Sequence, residues 1–161
     1  MRYLYYIAFV LYLIETVFIY QSLPIRVASH FGLDGMADGW MMKGEYALAM
    51  VAVAAAWTVI MLLFDFLVYI LPVTTLNVPN AAYWKQPENQ PTLRRKTSSF
   101  LCELGIYVIV LLAFVNYSVL QANKKNPPRL DEYENIAIII FFVLIALWLV
   151  RMFLAFRVPK K

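Results

Sequence analysis

His30 is the chain's only histidine, and Asp34 and Asp38 follow it at intervals of four. Imidazole and carboxylate groups bind metal ions and exchange protons near neutral pH. One histidine and two aspartates in turn-like dipeptides make a short ligand list, because zinc sites take three or four protein ligands and catalytic ones a dry, shaped setting. No bound metal and no cofactor is expected. The same stretch carries Phe31, Trp40 and Lys43. Together His30, Phe31, Asp34, Asp38, Trp40 and Lys43 form a candidate ligand-binding set of aromatic faces, carboxylates and one cation. No Ser-His-Asp set, HExxH, P-loop or dinucleotide fingerprint occurs, so no enzyme is expected.

A second group of residues is informative because of where it lies. Glu15, Asp65, Glu103 and Arg151 interrupt long apolar runs. A charge at mid-bilayer is disfavoured by roughly 3 kcal/mol on insertion scales, and such residues usually face protein or water. Glu15 and Asp65 each stand six residues inside a run, about 9 Å at 1.5 Å per residue. Glu103 lies a turn inside its run, and Arg151 can snorkel. An Arg151 pair with Asp65 or Glu103 is the economical arrangement. A proton or ion relay is the functional alternative, but it lacks an acid at middle depth. Tyr5, Tyr12, Thr16 and Tyr20 share one face of the first run at helical spacing, with Glu15 beside them. They either fill a seam and hydrogen-bond Glu15, or line an outward pocket with His30.

These residues need a scaffold, and composition names it. Of 161 residues, 63% are apolar and 15% charged, against about a quarter charged in soluble domains. The apolar residues form four runs, at 3–21, 46–71, 100–120 and 136–156. Each reaches the roughly 20 residues that cross a bilayer core. A spanning segment must satisfy its own backbone, so the runs read as helices, and barrel strands would be half as long and alternating. The fold class is all-α: one integral membrane domain over 1–161, a four-helix transmembrane bundle. The first run is long enough to be a retained helix rather than a leader cleaved near Val27-Ala28-Ser29. Ala52 and Ala56 make a small-xxx-small pair suited to close helix packing. Cys102 is alone, so no intramolecular disulfide forms, and it reads as packing.

Basic residues orient the bundle. With the N-terminus inside, the inner segments hold Arg2, Lys85, Arg94, Arg95, Lys96, Arg151, Arg157, Lys160 and Lys161. The outer segments hold Arg26, Lys43, Lys124, Lys125 and Arg129. The bias predicts an N-in/C-in topology with both termini cytoplasmic. A cationic rim facing lipid headgroups accounts for the net charge of +4 without nucleic acid.

Two connections look ordered. The outer loop, 22–45, holds four of the five glycines, with Asp34-Gly35 and Asp38-Gly39 as turn dipeptides. Trp40 suits a headgroup anchor. In the inner loop, 72–99, Pro72 ends a helix and Asn77, Pro79 and Asn80 make an extended entry. Tyr83 and Trp84 read as interfacial anchors. After Pro87 and Glu88, Pro91 opens a helix that runs through Arg94-Arg95-Lys96 into the third span. Asn77, Pro79, Tyr83, Trp84 and Glu88 form a candidate docking surface. In the second outer loop, 121–135, Asp131, Glu132 and Glu134 suit the positive end of the fourth helix.

Leu23-Pro24, Val27-Ala28-Ser29-His30-Phe31-Gly32, Gly35 and Asp38-Gly39-Trp40 together resemble the bacterial membrane domain of unknown function 1648. That domain occurs in relatives of the sporulation-delaying-protein immunity family, SdpI. Asn77-Val78-Pro79-Asn80, Tyr83-Trp84 and Pro87-Glu88 are similar to the inner segment of its small four-span members. The resemblance implies a bacterial inner-membrane protein, most members having no assigned activity. The immunity branch protects against a secreted toxin and relays its presence to a repressor. That branch commonly carries proline two residues before the histidine, where this chain has Ala28, so immunity is not carried over. Two functions stay open. One is a non-enzymatic protein that senses or binds a peptide, lipid or ion at the outer loop. The other is an accessory subunit of a larger membrane complex. A small transporter is a distant third. The expected partners are the lipid bilayer, other membrane subunits or further copies of the chain in a homo-oligomer.

Overall fold

The computed structural model describes residues 1–159. Lys160 and Lys161, counted above among the basic tail residues, lie outside the described residues. In chain order the elements are α1 (Arg2–Ser22), β1 (Arg26–Phe31), β2 (Ala37–Met42) and α2 (Lys43–Ile70). There follow α3 (Ala81–Trp84), α4 (Gln90–Asn123) and α5 (Glu132–Ala155), with single turns at Val73–Thr75 and Pro87–Asn89. The helices α1, α2, α4 and α5 are each long and apolar enough to cross a membrane. Pro91 stands in the first turn of α4, which carries the Arg94-Arg95-Lys96 block and the third span as one helix.

The protein is mostly helical as expected, but the first long connection is a two-stranded hairpin and not a loop. β1 and β2 pair antiparallel, with Arg26 opposite Met42, Ala28 opposite Trp40 and His30 opposite Gly39. The turn closes on itself: Gly32 N–H donates to the Met36 carbonyl at 2.8 Å and Gly35 N–H to the Gly32 carbonyl at 2.9 Å. Gly35 has φ +77°, a left-handed conformation that glycine adopts without strain. Asp34 Oδ1 accepts from Met36 N–H at 3.0 Å, the Asx geometry that makes Asp-Gly a hairpin signal. The glycines therefore punctuate two strands instead of shaping a coil. The hairpin also takes a third segment, since Leu130 N–H donates to the Gly35 carbonyl at 3.0 Å and Ala37 N–H to the Pro128 carbonyl at 3.3 Å. β2 leads straight into α2, where the Glu45 carboxylate accepts the Met42 N–H at 3.0 Å and caps the helix.

The core is built from α1, α2 and α4. Lipid is as apolar as leucine, so helices in a bilayer associate through close packing and hydrogen bonds. α1 and α2 run antiparallel along a ladder of such contacts. Arg2 Nε lies 2.6 Å from Asp65 Oδ2. Tyr5 donates to Thr58 Oγ1 at 3.0 Å, and Tyr12 donates to the Met50 carbonyl at 3.0 Å. Farther along, the Lys43 ammonium stands 4.7 Å from the centre of the Tyr20 ring. α4 covers this seam. Gly105 faces the Tyr5 ring so closely that a Cβ there would stand 2.7 Å from Tyr5 Cε2. In α2, Ala54 is buried in the core, whereas Ala52 and Ala56 face outward. The small-xxx-small pair is thus not used within the chain.

The four expected helices are present, but α5 packs more loosely than the other three. Among the described residues, none in the most apolar stretch of α5 is buried. That stretch is dominated by bulky Ile, Phe, Val and Leu, and few small residues let its backbone approach another helix. The arrangement is a three-helix core with a fourth helix laid alongside.

Gly105→Ala tests the core. Tyr5 is buried and hydrogen-bonded, so its ring has little room to yield, and overpacking of this kind costs about 1–3 kcal/mol. Thermal unfolding in detergent should come earlier for Gly105→Ala than for wild type. An unchanged midpoint would show that the Tyr5 seam is loose.

Candidate functional site

The hairpin has a buried side and an exposed side. Val27 and Ala28 are fully buried, and Phe31 is half-buried against Ile19, Leu23 and Tyr46. Arg26, His30, Asp38 and Trp40 are exposed. His30 Nδ1 is paired with Asp38 Oδ1. Gly39 permits this, because a Cβ on it would stand 2.9 Å from His30 Cβ. The Arg26 guanidinium lies 5.7 Å from the centre of the Trp40 ring, beside a shallow cavity of about 230 Å³ lined by those two residues. Of the six candidates, the exposed side therefore offers His30, Asp38 and Trp40. Asp34 is spent in the turn, Phe31 in packing and Lys43 on Tyr20. Among the described residues, no group of three or more histidine, cysteine, aspartate or glutamate side chains comes together.

Two bonds from α4 hold the hairpin in place. Asn123 Oδ1 accepts the Ala28 N–H at 2.8 Å, and Asn123 Nδ2 donates to the Ala28 carbonyl at 2.9 Å. The amide imitates a neighbouring strand and pairs both backbone groups of a fully buried residue, where an unmade bond is costly. Asn123 did not figure in the sequence reading. Its only sequence signal is its position at the end of a span.

Within the spans, Asn116 is the other residue that sequence reasoning missed. It is 0% exposed. It accepts from the Tyr46 hydroxyl at 2.9 Å and donates to Thr16 Oγ1 at 3.0 Å and Glu15 Oε2 at 3.4 Å. Glu15 is thus met by Asn116, while the Tyr5 and Tyr12 hydroxyls are engaged by Thr58 and the Met50 carbonyl. Asp65 pairs with Arg2 instead of Arg151, while Arg151 pairs with Glu103. Arg2 was overlooked as a partner because it stands at the head of the first run. The antiparallel α1–α2 seam brings it level with Asp65.

At the other end of the bundle the connection between α2 and α4 caps helix ends. The last carbonyls of a helix have no partner within it. The Trp84 indole N–H and Asn80 Nδ2 both donate to the Phe156 carbonyl, at 2.8 and 2.9 Å. Lys96 Nζ donates to the Ala155 carbonyl at 2.6 Å and stands 4.2 Å from the Trp84 ring centre. Arg94 donates to the Val68 carbonyl and, at 3.0 Å, to that of Leu71. Trp84 is only 3% exposed, so it is a buried cap and not an interfacial anchor or docking residue. Asn77 and Glu88 remain exposed, with Pro79 and Tyr83 half-buried.

Residues 7–55 match the family model of a domain of unknown function, DUF1648. In structural terms the matched DUF1648 segment is most of α1, the whole hairpin and the first part of α2. No curated protein and no solved structure matches the chain. Asn116 and Asn123, which bond residues of the DUF1648 segment, both lie outside it on α4.

Asn123→Ala removes both bonds to Ala28 and leaves two buried backbone groups unpaired, each worth about 1–3 kcal/mol. Amide exchange over β1 should accelerate at least about tenfold, with exchange in α1 and α2 unchanged. Ala28→Pro, which has no N–H to give Asn123, should loosen the same strand. Unaltered exchange in both variants would mean that the hairpin is held by packing alone.

Proposed function

We propose that the protein is a non-enzymatic membrane protein of a bacterial inner membrane, with both termini cytoplasmic, that binds a ligand on the exposed side of its hairpin. The observation that carries this reading is the clamped hairpin. Trp40 and the His30–Asp38 pair are exposed on strands whose backbone is fixed by Asn123 on one side and by the 128–130 segment on the other. Binding costs less when the contact groups are already ordered. A flat aromatic face beside charged groups favours an amphiphilic ligand, such as a peptide or a lipid headgroup.

A second reading has its own support. The outer surface of α5 is uncovered along the span, and Ala52 and Ala56 face outward on α2. These surfaces suit packing against another membrane helix, and they favour an accessory subunit or a homo-oligomer. A transporter has less support, because Asp65 and Glu103 are each tied to an arginine.

A photo-crosslinking residue at Trp40, compared with one at the lipid-facing Leu63, tests the first reading in native membranes. A discrete adduct at position 40 that disappears with His30→Ala is the expected result. Adducts identical at 40 and 63, or unaffected by His30→Ala, would overturn it. An adduct that contains a second membrane protein, formed equally at Leu63, would favour the subunit reading.

A further inference from the structure

The three consecutive cations of α4 have different environments. Arg94 is engaged by the carbonyls at the end of α2, and Lys96 by a carbonyl at the end of α5. Arg95 lies between them, exposed, and lines a cavity of about 210 Å³ with Arg2, Tyr69, Ser98 and Ser99. Arg2 is held there in a fixed pose. Its Nε is bound by Asp65 and its guanidinium lies 4.8 Å from the centre of the Tyr69 ring. The terminal nitrogens are then left to face another group. Ser98 is only 6% exposed and borders the cavity. The first turn of α1 lies on the same cavity and has no side-chain cap, so its free N–H groups add the positive end of a helix dipole. Two guanidiniums face one carboxylate, Asp65, which leaves a net positive pocket with hydroxyl donors at its floor.

We infer that this pocket binds a phosphate group, with Arg95 and Arg2 supplying charge and Ser98 and Ser99 supplying hydroxyl donors. Guanidinium and hydroxyl groups converging on one small cavity match the tetrahedral oxygens of a phosphate. The pocket sits at the end of the spans, where lipid headgroups lie. An anionic phospholipid and a soluble phosphate share this chemistry.

The full-length protein in nanodiscs of phosphatidylcholine doped with phosphatidylglycerol, examined by native mass spectrometry, tests the site. Wild type should retain phosphatidylglycerol. Arg95→Gln and Ser98→Ala should each weaken retention about tenfold, the scale of one charge-assisted hydrogen bond. Arg157→Gln, which removes an exposed cation of the same rim, should leave it unchanged. Both site substitutions are at an exposed or small side chain, and unchanged thermal unfolding will show that the fold is kept. Equal retention by wild type and both variants, or equal loss with Arg157→Gln, would overturn the site in favour of a diffuse cationic rim. Titration with inorganic phosphate separates the sources. Displacement of the lipid assigns the site to phosphate of either origin, and no displacement assigns it to the phospholipid headgroup.

Discussion

The amide of Asn116 is fully buried, and both its ends are spent on other helices. Its oxygen takes the Tyr46 hydroxyl of α2, and its nitrogen serves Thr16 and Glu15 of α1. In a bilayer there is no water to replace such bonds, so an unsatisfied amide costs several kcal/mol. That cost fixes the register of α4 against the α1–α2 seam, because sliding the helix by one turn would strand the amide. Gly105 lies on the same helix, where the Tyr5 ring takes the space of a side chain. One polar contact and one missing Cβ therefore set how the three core helices meet. The other rungs, Tyr5 with Thr58 and Tyr12 with Met50, follow from that register.

The same constraint explains both ends of the bundle. A helix leaving the membrane exposes backbone groups that nothing within it can pair. At one end Asn123 and the 128–130 segment supply partners to the hairpin. At the other, Asn80, Trp84, Arg94 and Lys96 supply donors to the ends of α2 and α5. Asn80 adopts φ 55° to do so, a left-handed backbone that asparagine tolerates better than most residues. These connections are ordered because their side chains complete helices, not because they are short. α5 illustrates the converse. It is tied by its end carbonyls and by the Arg151–Glu103 pair, and its span is left to lipid or to another protein.

Much of this was legible in the sequence, and the pattern of what was not is physical. The four spans stand out because hydropathy over about 20 residues is a local property that survives any packing. The helical run through Pro91 and the basic block is local as well. The hairpin was misjudged although its signals were present. Val27, His30-Phe31 and Trp40 flank an Asp-Gly turn, but the four glycines drew attention to turns and away from the strands between them. Asn116, Asn123 and Gly105 could not be recognised from type alone. Each acts on a residue roughly a hundred positions away, and only antiparallel packing makes them neighbours. Arg2 with Asp65 is the same case, as is Trp84, whose aromatic type suggested an anchor while its indole N–H closes a helix. The candidate outer stretch folds as the hairpin, and its six residues do not share one face. Which of its six residues are free to meet a ligand depends on strand alternation and on bonds that only the fold reveals.

The basic residues show how far a count can mislead. Positive charge near a span end orients a helix whatever its contacts, so Arg94, Arg95 and Lys96 enter an orientation rule as equals. In the structure they are not equals. Arg94 and Lys96 satisfy carbonyls of two different helices and cannot leave without exposing them. Arg95, one residue from each, rotates by about 100° on the helix and reaches no carbonyl. A helix carrying three successive cations necessarily points them in three directions. Where two are committed to capping, the third is free to bind an anion without cost to the fold. Arg2 comes from the start of α1, ahead of the matched DUF1648 segment, and α4 supplies Arg95, Ser98 and Ser99, so the basic pocket requires both helices. The hairpin shows the same division: the matched segment carries His30, Asp38 and Trp40, and α4 carries the asparagine that holds them still.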